Sequence, residues 1–332
     1  MTPIQFDRLI LHPGSPKTGT SGLQNFLFRK RDALRDLGYL YPMSGIDVES
    51  GTAKGHHAIA LAIDPNASEP SEHLRAMLEA LRAEIAAAPD KTVILSSEEF
   101  FHAQRMEVFK HYLQPASCQI YVSLRPQYEV MNANYYTQVT HNRIKNPPEA
   151  YFNSMKLGLK FPEIMTVFAQ FTHNTDVKLR VFERGSPVRK SPIEDFLTVM
   201  GIDLSYDPED NIVEHPTLPA VATLFLRWLN DVGVSQTDFF EVFQDLHKMR
   251  PSLSKQTYTM SPDYMRTVVE RFERDNIWLR QNFGDGASEP LFQTPEYPDA
   301  ELWEQEVGRD LAAVQHKFLK QLCTMAESGK SR

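Results

Sequence analysis

Gly14-Ser15-Pro16-Lys17-Thr18-Gly19-Thr20-Ser21 joins two segments of different hydrophobic period. Before it, Phe6 to His12 is a short apolar run that reads as a buried strand. From Thr20 onward the period becomes helical. Leu23, Phe26, Leu27, Leu34 and Leu37 share one face, and Gly38 is a stop signal. A turn set between a strand and a helix aims backbone N–H groups and a helix N-terminus at an anion. The nucleotide-hydrolase form of such a loop is G-x-x-x-x-G-K-[ST]. This chain keeps both glycines, but Thr20 stands where that form has lysine, and the lysine lies inside the loop at Lys17. The usual magnesium arrangement is therefore not expected.

Outward from the loop, strands and helices alternate. Tyr39 to Asn66 is loop-rich and holds Gly45, Gly51, Gly55 and the pair His56-His57. Leu74, Leu78, Leu81 and Ile85 mark a helix that ends before Pro89. Thr92 to Leu95 is a β-branched run entering Ser96-Ser97-Glu98-Glu99. Gln119 to Leu124 predicts a third strand, followed by a helix with Val130, Asn134 and Tyr135. Val177 to Phe182 predicts a fourth strand, and Ile193 to Met200 a helix closed by Gly201. Beyond Pro216 the pattern is helical almost to the end, with breaks at Pro251, Pro262 and Pro290 to Pro298. The expected class is α/β, a parallel sheet covered on both faces with right-handed crossovers. Ligands in such sheets sit at the carboxyl ends of the strands. Three polar clusters fall there: Pro16 to Ser21, Ser96 to Glu99, and Arg125 onward.

Pro16-Lys17-Thr18-Gly19-Thr20-Ser21, with Leu23-Gln24 following, resembles the 5′-phosphosulfate loop of the sulfotransferase family. Tyr121-Val122-Ser123-Leu124-Arg125 followed by Tyr135-Tyr136-Thr137-Gln138 resembles that family's 3′-phosphate motif, with Arg125 as the matching arginine. Ile94-Leu95-Ser96-Ser97-Glu98-Glu99-Phe100, and Leu179 to Arg184 with Asp195-Phe196-Leu197 and Gly201-Ile202, resemble bacterial sulfotransferase-like proteins. The resemblance covers residues 6 to 293. It implies a P-loop-type fold and 3′-phosphoadenosine-5′-phosphosulfate as donor substrate, with no metal required. It also implies that the loop backbone with Thr20 and Ser21 holds the 5′-phosphate, and that Lys17 neutralises charge on the leaving oxygen. One departure stands out: the motif's serine is Ala133 here, and Asn132 and Asn134 are the neighbours able to substitute. An arginine at a helix start opposes the dipole unless an anion is near, which favours a binding role for Arg125.

The acceptor side needs a base for the incoming hydroxyl. The candidates are Glu98, Glu99, His56, His57 and His102, with Glu98 preferred because the resemblance implies a glutamate after the second core strand. Alternation along an extended segment would turn Glu99 away. The competing reading makes both glutamates caps of the next helix. His57 is the alternative base. Arg180, Arg184, Arg189 and Lys190 surround the end of the fourth strand, where a solvated charged loop competes with a role in the 3′-phosphate or adenine site. Trp228, Trp278 and Trp303 follow helical spacing and read as core.

The chain has 332 residues and a net charge of −8, which argues against general affinity for nucleic acid or an anionic membrane. No run approaches the ~20 apolar residues of a membrane span, and Leu9 to Leu11 is too short for a secretory signal, so a cytoplasmic location is expected. Cys118 and Cys323 match no metal spacing and read as reduced thiols. Residues 1–293 are expected to form a single α/β domain, and residues 294–332 a helical tail that docks on it or makes a homodimer. The expected acceptor is a small molecule or glycan, with a carbohydrate or glycolipid implied by the resemblance. Two other readings compete: a nucleotide-dependent kinase on the same fold, and a degenerate nucleotide-binding partner protein.

Overall fold

The computed structural model describes residues 1–15, 17–48, 53–89, 91–155, 159–183, 185–207, 218–249, 258–284 and 290–327. Pro16, Gly51, Arg184, Pro216 and Pro251, and the side chain of Cys323, lie outside the described residues.

The first half of the chain alternates strand and helix. It runs β1 (Ile4–His12), α1 (Thr20–Arg29), α2 (Arg31–Asp36), β2 (Tyr39–Leu40), α3 (His57–Ala62), α4 (Glu72–Ala86) and β3 (Thr92–Ser96). A 3₁₀ turn at Glu98–Phe100 leads to α5 (Ala103–Phe109), β4 (Leu113–Leu124), α6 (Gln127–Thr140) and α7 (Pro148–Ser154). Then come α8 (Phe161–Ala169), β5 (Thr175–Val181), α9 (Pro187–Lys190) and α10 (Pro192–Met200). The rest is helical: α11 (Ala220–Val232), α12 (Gln236–Met249), α13 (Pro262–Phe283) and α14 (Ala300–Glu327).

The strands form one parallel sheet in the order β2-β3-β1-β4-β5. Its pleat sorts side chains to opposite faces. Leu9, Leu11, Val93, Leu95, Ile120 and Val122 share one core with the apolar stripes of α4 and α8. Ile10, Ile94 and Tyr121 point into the other, with Leu23, Phe26 and Leu27 of α1 and Ile193, Phe196 and Leu197 of α10. Helices thus cover both faces, as a parallel sheet requires.

Several elements differ from the sequence expectation. The helix opening at Thr20 breaks at Lys30 (φ −94°, ψ 12°) and restarts at Arg31, so Leu34 stays buried while Leu37 is 44% exposed. The third strand begins at Leu113 rather than Gln119, because its first half alternates buried and exposed residues instead of running apolar. The loop-rich stretch after Tyr39 contains the short edge strand β2 and α3.

The chain gathers into two compact units. One takes Met1–Pro126, Gly158–Glu214 and Glu273–Gln293 and contains the whole sheet. The other takes Gln127–Leu157, His215–Phe272 and Thr294–Arg332. Within this second unit, Asn230 donates to the carbonyls of Val139 and Ile144 at 3.0 and 3.1 Å. The rings of Phe225 on α11 and Phe318 on α14 meet edge to face at 5.6 Å. No helix among the described residues is long and apolar enough to cross a membrane.

Candidate functional site

Strands β3, β1 and β4 are neighbours in the sheet, so their carboxyl ends are adjacent, and hydrogen bonds join the loops that follow. Ser97 N–H donates to the His12 carbonyl at 3.0 Å, and Arg125 Nη1 donates to the Lys17 carbonyl at 3.0 Å. The Thr20 hydroxyl and Gln24 Nε2 both donate to Glu98 Oε2, at 3.3 and 3.4 Å. Lys17, Thr18, Gly19, Thr20, Arg125 and Glu98 therefore belong to one site in the sheet-bearing unit. Ser21 is half-buried in the first turn of α1, and Pro16 lies outside the described residues.

The loop backbone is unusual. Gly14 and Gly19 have φ of 57° and 78°, and Lys17, a residue with a full side chain, has φ of 67°. A left-handed conformation costs a non-glycine residue about 1–2 kcal/mol, and such outliers mark sites where the fold over-determines the backbone. The buried Thr18 hydroxyl braces the loop by donating to the Ser15 carbonyl at 2.7 Å. Gly14 is also sterically required, since a Cβ there would stand 2.4 Å from the Thr20 methyl. Helix α1 begins with Gly19, which supplies no side-chain cap, and its first turn has no acidic residue. Its N–H groups face the loop that carries Lys17, which is the electrostatics of an anion site. Partial desolvation draws the pKa of the exposed Lys17 ammonium down; the Glu98 carboxylate opposes this and the Arg125 guanidinium adds to it.

The acidic and imidazole candidates separate by their contacts. Glu99 pairs with Arg105 at 2.8 Å, and the Ser97 hydroxyl caps the 3₁₀ turn through the Glu99 N–H at 3.1 Å. Glu99 thus takes a different partner from Glu98, because the chain turns into the 3₁₀ segment at Glu98 after an extended Ser97, and not because an extended strand alternates. His102 caps α5, its Nδ1 accepting from Arg105 N–H. His56 is fully buried. Its Nδ1 accepts from Ser96 N–H at 3.1 Å and its Nε2 donates to the Pro42 carbonyl at 3.1 Å. Burial holds its pKa down at about 4. With both ring nitrogens engaged by the backbone, His56 ties the loop to β3. His57 lies within 2.9 Å of the Ser97 hydroxyl through Nδ1. Its Nε2 lies beside Gly55, where a Cβ would meet it and the Gln24 amide at 2.9 Å each.

Two contributors were not among the candidate site residues. His12, at the end of β1, binds the Ser96 hydroxyl at 2.8 Å through Nδ1, and burial lowers its pKa to about 3. Gln24 is fully buried, reaches Glu98, and leaves its carbonyl oxygen without a hydrogen-bond partner. Gln24 lies one helical turn after Thr20, so shared helix face was the signal available for it. On α6, Asn132 Oδ1 accepts from the Thr259 N–H and hydroxyl at 2.8 and 2.9 Å, and Asn134 accepts from the Tyr151 hydroxyl. Both asparagines therefore hold neighbouring segments of their own unit.

On the far side of the loop, Arg180 makes a two-point pair with Asp195, which also accepts from the Tyr121 hydroxyl at 2.7 Å. Arg180 is thus a structural partner of α10. Among the described residues no group of His, Cys, Asp or Glu is arranged to hold a metal ion. No protein-family model, curated protein or solved structure matches the chain.

Proposed function

We propose that the chain is a sulfotransferase that moves a sulfuryl group from 3′-phosphoadenosine-5′-phosphosulfate to a hydroxyl or amine, on a P-loop-type core. The carrying observation is that Lys17 sits inside the strand-to-helix loop, held left-handed, with Arg125 bonded to its carbonyl and Glu98 beside it. The sheet order, with the loop leaving the central strand β1, supports this reading.

In this reading the α1 N-terminus and the Thr20 and Ser21 hydroxyls hold the 5′-phosphate. The bond from sulfur to the bridging phosphate oxygen breaks while sulfur bonds to the acceptor oxygen, and Glu98 takes the acceptor's proton. Negative charge gathers on the bridging oxygen only as its bond breaks, so Lys17 stabilises the transition state more than the bound donor. The Thr20 hydroxyl has one proton, which Glu98 holds through a long 3.3 Å bond. Donor binding draws that proton to the phosphate and releases a Glu98 lone pair for the acceptor. Acceptor class rests on family resemblance alone, and a carbohydrate or glycolipid is the preferred candidate.

The same Thr20–Glu98 contact favours a second reading. Phosphoryl-transfer enzymes of this sheet type hold magnesium between a loop hydroxyl and a carboxylate, although Thr20 stands where their loop has lysine. Calorimetric titration with adenosine 3′,5′-bisphosphate, ATP and ADP, with and without magnesium, separates the two. We expect the bisphosphate to bind without magnesium and more tightly than ATP. Tight ATP binding that depends strictly on magnesium would give the protein to the kinase reading.

A further inference from the structure

Phe182 follows β5 and is buried, although two guanidinium groups flank it. The Arg125 guanidinium carbon lies 6.0 Å from its ring centroid, and that of Arg189 lies 5.9 Å away. The third side of the environment is the anion loop itself, since a Cβ at Gly19 would stand 3.6 Å from the Phe182 ring and 3.1 Å from Pro192. Arg189 is held in place by its own element. Ser186 caps α9 by accepting the Arg189 N–H at 3.3 Å, and the adjoining Val188 is buried. An arginine that follows β4 and one on α9 therefore lean on one ring beside the loop. Concentrating cations in this way opposes their mutual repulsion, and in a chain of net charge −8 it points to an anionic ligand.

We infer that Arg189 is a second binding residue for the donor's 3′-phosphate, acting together with Arg125. The inference rests on the sulfotransferase reading. The loop and Lys17 serve the 5′ end of the nucleotide, and the arginine pair flanking Phe182 serves the second phosphomonoester. A planar guanidinium matches phosphate oxygens with two N–H groups, which a lysine cannot do. Arg189 would thereby set the preference for a 3′-phosphorylated nucleotide over a plain 5′-nucleotide.

The test compares adenosine 3′,5′-bisphosphate with adenosine 5′-monophosphate by calorimetry on wild type, Arg189→Ala and Arg189→Lys. Losing one charge-assisted contact should weaken the bisphosphate by about 10- to 100-fold and leave the monophosphate unchanged, with Arg189→Lys recovering only part. The unchanged monophosphate also reports that the loop remains folded. An equal loss on both nucleotides, or no loss on either, overturns the role of Arg189. A wild-type protein that binds the bisphosphate no better than the monophosphate removes the sulfotransferase reading itself.

Discussion

Lys17 combines a strained backbone with the only cationic side chain of its loop. The two properties can be separated by substitution. Lys17→Ala and Lys17→Gly both remove the ammonium, so both should abolish transfer while costing comparatively little donor affinity. Only glycine accepts φ of 67° without a Cβ clash. Its greater freedom in the unfolded chain offsets part of that relief, so Lys17→Gly should exceed Lys17→Ala in stability by about 1 kcal/mol. Denaturant unfolding of the two variants measures the difference; equal midpoints would mean the left-handed backbone is not held in solution. The loop was legible as the connection from strand to helix, because two glycines stand where the hydrophobic period changes. The left-handed lysine was not, since no property of lysine announces a positive φ. His12 was equally silent, and Gln24 was visible only as a residue following the loop motif; the contacts of both come from what β3 and the turn after it bring alongside.

At the scale of elements, the short turn Glu98–Phe100 decides which carboxylate faces the loop. The Ser97 hydroxyl caps the turn that opens at Glu98, which sends Glu99 to Arg105 and leaves Glu98 beside Thr20 and Gln24. Glu98→Gln keeps the acceptor for the Thr20 hydroxyl and loses basicity. It should lower transfer to a surrogate alcohol by about 10²–10⁴-fold while bisphosphate binding persists. Glu99→Gln should leave transfer intact, since it breaks a partly exposed ion pair worth ~1 kcal/mol or less. An active Glu98→Gln beside an inactive His57→Ala would move the base to the histidine. Strands β1, β3 and β5 and helices α4 and α10 were readable from period and caps. The first half of β4 and the two-residue β2 were hidden, because pairing with neighbours rather than local apolar content makes them strands.

Over the whole molecule, two buried imidazoles bind the fold to pH. His12 and His56 are neutral when folded, with pKa values lowered by burial to about 3 and about 4, against an ordinary value of 6.5. Below pH 6.5 the unfolded chain takes up protons that the folded chain refuses. Stability is therefore fully present above that pH and falls as pH drops toward 4 and then 3. The His56 share alone is on the order of 3 kcal/mol. Thermal melts from pH 7.5 to 4.5 should show this slope. His56→Asn keeps an acceptor near Nδ1 and cannot titrate, so it should be less stable at pH 7 yet less sensitive to acid. An unchanged slope would mean that His56 is not held neutral. The division of the chain was the hardest feature to foresee, because each unit draws on three separate stretches and the boundary at Phe272 and Glu273 falls inside α13.

The two outer strands carry one more consequence. At one rim, β2 is only two residues long, and at the other β5 places Asp176, Lys178 and Arg180 on alternate positions. A bare strand rim is a template on which a second chain can add its own strand and begin a fibre. Here one rim is too short to template anything. The other would force an incoming strand to bury a line of charges, two of them already tied together as Lys178–Asp176 at 2.8 Å and one locked to Asp195. The fold thus guards its open sheet against polymerising without closing it into a barrel, at the strand that Phe182 follows.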